Sequence, residues 1–199
     1  MIRPFGTLAD GQRVDAITLG ARGLQVELLT YGAILHRVSY PVRGQRRDLI
    51  LFLGGLDDYV RDRAYVGPLV GRFGNRIAQS RFRLDGRESR VTANEGVNHL
   101  HGGALGFGKR LWRVLSQDQS RMPTLELGLL SPAGEEGYPG SLDATVTLVA
   151  LPGSLRITQR DGLDAAAILE LPERPHRNLS TCASAVPAPR SPSETPIPR

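Results

Sequence analysis

The sequence predicts an all-β protein, an antiparallel β-sandwich, and three observations carry that reading. Short runs of apolar and β-branched residues recur along the chain with turn residues between them. The 199 residues include 23 glycines and 14 prolines, a balance that suits turn-rich β structure better than helices. No segment before residue 160 sustains an apolar period of 3.6 residues.

The elements follow in order. Val14 to Leu19 and Leu24 to Thr30 are β-prone runs separated by Gly20 to Gly23, which reads as a hairpin. Tyr31 to Leu35 continues into His36 to Tyr40, a strand ended by Pro41, and Arg47 to Leu53 is an apolar strand closed by Gly54-Gly55. Asp57 to Arg63 is polar and reads as a loop or single turn. Arg81 to Leu84 alternates polar and apolar, Asp85-Gly86 is a type I′ turn signal, and Glu88 to Thr92 returns as the partner strand. Leu111 to Leu115, Thr124 to Leu130, Leu142 to Leu151 and Leu155 to Thr158 complete the strands.

The character changes after Thr158. Asp164 to Leu171 is alanine-rich and reads as a short helix, and half of the 14 prolines follow Leu171. Residues 1–158 are therefore expected to form the sandwich portion. Residues 159–199 are expected to be a divergent, Pro/Ser/Ala-rich and disordered tail.

Composition narrows the function classes. The formal net charge is +5, carried almost wholly by arginine, since Lys109 is the only lysine. The arginines are scattered among acids rather than clustered, so no nucleic-acid partner is expected. Cys182 is the only cysteine, which excludes an intramolecular disulfide framework and a cysteine metal cluster. The N-terminus shows no basic-then-apolar pattern, and no apolar run is long enough to span a bilayer. A soluble, cytoplasmic chain with no membrane partner is the expectation.

Chemistry concentrates between Gly71 and Gly103. His99 and His101 are two apart, which on a strand places both on one face. A metal would need further ligands, and His36 and His176 lie in unrelated contexts, so no metal site is expected. His101 precedes Gly102-Gly103, which leave an imidazole unshielded beside backbone N–H groups. It can bond a sugar hydroxyl, exchange a proton, or serve as a turn residue. Asn75 and Arg76 supply donors and an acceptor suited to a neutral polyhydroxylated ligand. Arg72 reads either as a ligand contact or as a buried tie to loop carbonyls. Phe107 and Trp112 read as sugar-stacking rings or core, and Glu135-Glu136 as solvated glutamates in a tight turn.

Taken together, these motifs are recognisable. Gly71-Arg72-Phe73-Gly74-Asn75-Arg76-Ile77-Ala78, Leu84-Asp85-Gly86, Asn94, Asn98-His99-Leu100-His101-Gly102-Gly103, Gly106-Phe107, Lys109 and Trp112 resemble the aldose 1-epimerase (galactose mutarotase) family in order and spacing. Ser131 to Gly140, Tyr31-Gly32-Ala33 and Asp57-Asp58-Tyr59 fit as well, so the resemblance covers about residues 5 to 158. It implies a galactose mutarotase-like sandwich, incomplete at its C-terminal end, that binds an aldohexose such as galactose or glucose in a cleft. The implied reaction interconverts α and β anomers. A glutamate takes the C1 hydroxyl proton, a histidine protonates the ring oxygen, and the ring opens, rotates and recloses without metal or cofactor. The family's sugar-holding residues carry over to Asn75, Arg76 and His101, and His101 is also the catalytic candidate.

The departures lie late in the chain. The family's acid histidine sits in an Asn-His segment. The corresponding region here, Ile168 to His176, lacks that motif, with Arg174 nearest in position and His176 coincidental. The later aspartate and the catalytic glutamate have no counterpart. The change near Gln159 reads as a truncation or a shift of reading frame. Two alternatives stay open: a non-catalytic carbohydrate-binding sandwich and a hexose-6-phosphate epimerase. A sandwich short of strands leaves edges and apolar surface uncovered, so self-association through strand edges is expected.

Overall fold

The computed structural model describes residues 1–163 of the chain. Its first sheet has five strands in sequential order: β1 (Ile2–Thr7), β2 (Arg13–Ala21), β3 (Leu24–Leu29), β4 (Leu35–Val42) and β5 (Gln45–Asp48). A short helix, α1 (Leu56–Arg61), follows. Two small ladders come next: β6 (Arg76–Ile77) pairs with β9 (His99–Leu100), and β7 (Arg81–Leu84) with β8 (Arg87–Arg90). The second sheet has four strands, β10 (Arg113–Asp118), β11 (Thr124–Ser131), β12 (Leu142–Leu151) and β13 (Ser154–Leu163). Every pairing is antiparallel.

The two sheets meet face to face. Ile17, Leu19, Val26, Leu28 and Val38 of the first pack with Leu125, Leu127, Leu129, Val146 and Leu148 of the second in one buried cluster. Strand β12 shows the cause directly. Its Leu142, Ala144, Val146, Leu148 and Ala150 are buried, while the residues between them are not. A one-residue slip would send that apolar set to solvent, so the register is strongly specified. The opposite face of the first sheet is covered too. Val14, Ala16, Leu29 and Ile34 pack on Leu56 and Tyr59, which stand three apart on one side of α1.

The predicted sandwich is therefore present, with several local differences. The edge strand β1, a stretch where the sequence predicts no element, carries Pro4 and Gly6, and its register with β2 shifts between those two residues. Strand β4 continues through Pro41 to Val42, because a tight turn at Arg43-Gly44, both at positive φ, folds it onto β5. The apolar run after Arg47 leaves the sheet at Asp48. Leu49 and Ile50 pack against the core, and Leu53 against the α1 cluster, without forming a strand. Where a loop or single turn is expected over Asp57 to Arg63, Leu56–Arg61 form a six-residue helix.

At the other end, β13 runs through Leu163 rather than stopping at Thr158, with Gln159 opposite Val146 and Leu163 opposite Leu142. The first five residues of the expected disordered tail, 159–163, are thus paired in the sheet; the rest of that 159–199 tail, with the short helix from Asp164 and with Arg174, His176 and Cys182, lies outside the described residues.

Candidate functional site

The β6–β9 ladder is only two residues long on each side. It nonetheless lays the Gly71 loop beside the His101 loop, with Arg76 opposite Leu100 and Ile77 opposite His99. Just beyond it, Asn75 and His101 bond each other twice. The Asn75 amide N–H donates to His101 Nδ1 at 3.0 Å, and the His101 amide N–H donates to the Asn75 carbonyl at 3.0 Å. Both residues take the left-handed conformation, Asn75 at φ 75° and His101 at φ 51°. Such backbone is sparsely populated and is held here by the surrounding bonds.

The glycines make this possible. A Cβ on Gly102 would sit 1.6 Å from the Gly71 carbonyl oxygen, so the two loops touch through bare backbone. A side chain at position 102 would push the His101 loop off the Gly71 loop.

Arg76 is splayed onto the surface and fixed there. Its Nε and Nη2 bond Glu95 Oε2 and Oε1 at 2.6 and 2.5 Å, and its Nη1 donates to Asn75 Oδ1 at 3.2 Å. This bidentate pair holds the Glu95 carboxyl below the usual carboxylate range, chiefly through the Arg76 hydrogen bonds. Asn94 staples the same turn: its side chain donates to the Leu100 carbonyl at 2.9 Å and accepts the Leu100 N–H at 2.6 Å. Tyr65 completes the group. Its ring lies edge-to-face on the His101 ring with centroids 4.5 Å apart. Glu95 and Tyr65 escaped the sequence reading, because neither lies in the Gly-Arg-Asn or His-Gly-Gly runs and only the fold brings them there.

His99 does not share a face with His101. Strand β9 ends at Leu100, and the left-handed turn sends the two rings apart. His99 is fully buried. Its Nδ1 meets the Thr92 carbonyl at 2.6 Å and its Nε2 meets the Tyr138 hydroxyl at 2.6 Å. A carbonyl only accepts, so Nδ1 carries the proton, and Nε2 accepts from the tyrosine. Burial pushes His99 below its ordinary pKa and Tyr138 above its own, which keeps both neutral.

Arg72 proves to be the buried tie. It is 2% exposed and bonds Ser131 Oγ and the carbonyls of Ser131, Pro132, Pro139 and Gly140 at 2.7 to 3.2 Å. Phe107 and Trp112 are core, at 1% and 2% exposure, and Trp112 donates its indole N–H to the Phe107 carbonyl.

The glutamates of the 135–136 turn are half-buried and bonded rather than freely solvated, contrary to the sequence expectation. Glu135 bonds Ser131 Oγ and pairs with Arg110. Glu136 turns inward at φ 50° and accepts the Leu105 N–H at 2.7 Å, bracing the segment that follows His101. A charged group near a glycine-rich loop finds backbone donors, which composition alone does not reveal.

Exposed and half-buried donors and acceptors therefore gather at Asn75, Arg76, Glu95 and His101, with an aromatic ring at one side. Such a set can hold a small polyhydroxylated molecule by several directional bonds. Among the described residues, no group of three or more His, Cys, Asp or Glu is placed to hold a metal ion. No helix among them is long and apolar enough to cross a membrane.

Comparison with known proteins identifies the family. The sequence profile of the family described as aldose 1-epimerase matches residues 15–161. A galactose mutarotase from Sus scrofa is 36% identical over 180 residues, covering 88% of this chain and 51% of that protein. An aldose 1-epimerase from Escherichia coli (strain K12) is 33% identical over 173 residues, covering 85% of this chain and 49% of that protein. The crystal structure of a galactose 1-epimerase from Lactobacillus acidophilus superposes with a TM-score of 0.74 at 26% identity, over 85% of this chain and 50% of that one. The chain thus spans about half the length of the curated relatives it matches. On the match over residues 15–161 and these identities, the chain belongs to the aldose 1-epimerase family.

Proposed function

We propose that this chain binds an aldohexose at Asn75, Arg76 and His101 and serves the interconversion of α and β anomers by acid–base ring opening. The observation that carries the reading is the convergence of those three side chains, with Arg76 locked on Glu95 and His101 locked on Asn75. The names of its relatives, galactose mutarotase and aldose 1-epimerase, supply the reaction and the sugar class.

His101 has a defined part in this scheme. Because Nδ1 accepts the Asn75 amide, the neutral ring carries its proton on Nε2 and acts as a hydrogen-bond donor. It contributes to catalysis by bonding a sugar oxygen throughout ring opening. Arg76 and Asn75 fix the remaining hydroxyls, so that the substrate is oriented before any proton moves. The reaction also needs a base for the C1 hydroxyl proton and an acid for the ring oxygen, and no described residue is assigned either role. A cytoplasmic setting and association through the exposed β5 and β10 edges belong to the same reading.

A second reading, carbohydrate binding without turnover, is favoured by the same Asn75 bond, since it withholds His101 from proton shuttling. Optical rotation of freshly dissolved α-D-galactose separates the two. Acceleration over the spontaneous rate that disappears in His101→Ala identifies an epimerase. Binding without acceleration identifies a sugar-binding protein. Neither binding nor acceleration in a folded sample rejects both.

A further inference from the structure

The stretch from Asp62 to Val66 joins α1 to the Gly71 loop, and it is built more tightly than a connection requires. Asp62 Oδ1 accepts the Ala64 N–H at 2.8 Å and Oδ2 accepts the Val66 N–H at 2.7 Å. The Asp62 carbonyl, with those of Tyr59 and Val60, takes the Lys109 ammonium at 2.9 to 3.1 Å. Lys109 lies just after the His101 loop, so it ties the end of α1 to the segment that carries the imidazole.

Between the two amides bonded to Asp62 stands Tyr65, at φ 54°. A bulky aromatic residue rarely adopts that conformation, and the surroundings must impose it. The result is specific. The Tyr65 ring is half-buried and meets the His101 ring at 4.5 Å with an interplanar angle of 68°, an arrangement that aromatic rings favour. Burial, and after it the charges of Glu95 and Asp62, push the Tyr65 hydroxyl pKa up.

We propose that Tyr65 is a positioning residue for His101. Its ring, set by the Asp62 and Lys109 contacts, blocks rotation of the imidazole and keeps Nδ1 on the Asn75 amide, and so keeps the Nε2–H tautomer. This deepens the functional reading and rests on it only for the consequence in sugar binding. The effect on the imidazole stands without any sugar.

The test uses the full chain with ¹⁵N-labelled histidine and reads the two ring nitrogens of His101, assigned with a His101→Gln variant. Tyr65→Phe retains the ring. Tyr65→Gly removes it while accepting positive φ, and Tyr65→Asn is a second ring-free variant that tolerates the same backbone. The wild type and Tyr65→Phe are expected to show one neutral tautomer, with distinct Nδ1 and Nε2 shifts. In Tyr65→Gly or Tyr65→Asn the two shifts are expected to move toward a common averaged value, and galactose affinity to fall about ten-fold. Unchanged imidazole shifts in a folded ring-free variant would overturn the proposal and leave Tyr65 a packing residue. Failure of the wild type to bind galactose would reject the functional reading, while the imidazole shifts still decide the role of Tyr65.

Discussion

Asn75 and His101 are joined by two hydrogen bonds in opposite directions, amide to imidazole and amide to carbonyl, each at 3.0 Å. One bond sets the backbone spacing of the two loops and the other sets the proton on the ring. A sugar oxygen bonded by that ring loses its partner in His101→Ala. A net hydrogen bond contributes about 0.5–1.5 kcal/mol, so galactose affinity measured by calorimetry should fall about ten-fold while the melting temperature stays near wild type.

The sequence disclosed the sandwich and the candidate site residues for different reasons. Strand β12 alternates so regularly that its buried face could be read directly, and the Asp85-Gly86 turn appears with both residues at positive φ. Strand β1 could not be read, because Pro4 and Gly6 oppose strand propensity and only pairing with β2 overrides them. Asn75, Arg76 and His101 stood out because polar side chains flanked by glycines mark a ligand loop. Glu95, Tyr65 and the inward turn of Glu136 depend on contacts between segments distant in sequence. No local pattern encodes them.

Glycine at position 102 should be indispensable in a way that Gly134 is not. Both have positive φ, but an added Cβ at 102 meets the Gly71 carbonyl oxygen at 1.6 Å, while at 134 it meets nothing within 4 Å. Gly102→Ala is expected to cost about 3 kcal/mol or more, combining clash and left-handed strain. Gly134→Ala should cost about 1 kcal/mol, the strain alone. Urea unfolding of the two variants checks the difference.

Stability should fall on mild acidification because of buried histidines. His99 and His36 are both held below the ordinary histidine pKa, burial being the main cause in each. The unfolded chain therefore binds protons near the usual histidine range while the folded chain does not. Their stabilising effect is complete above about pH 6.5 and is lost as the pH falls from there through the folded values. The urea midpoint should decline over that window, and His99→Gln should make the decline shallower. Tyr138→Phe, which leaves His99 Nε2 without its donor, should cost about 1–3 kcal/mol.

The Arg76–Glu95 pair predicts a second, lower window that is read in binding rather than stability. Glu95 sits below the ordinary carboxylate range, so it stays ionised and holds Arg76 until the pH drops beneath that range. Galactose affinity should be insensitive to this group near neutrality and fall as Glu95 is protonated. Glu95→Gln should weaken binding roughly five- to ten-fold at neutral pH, because Arg76 is left free to swing. Titration calorimetry of wild type and variant across pH separates the two effects.

The central claim is that an aldohexose sits against Asn75, Arg76 and His101. Its most direct test is amide and side-chain NMR of the labelled chain titrated with galactose. Saturable shifts centred on Asn75, Arg76, Glu95, His101 and Tyr65, with a midpoint about ten-fold higher in His101→Ala, are the predicted result. No saturable shift, or one confined to residues away from the Asn75–His101 junction, would contradict it.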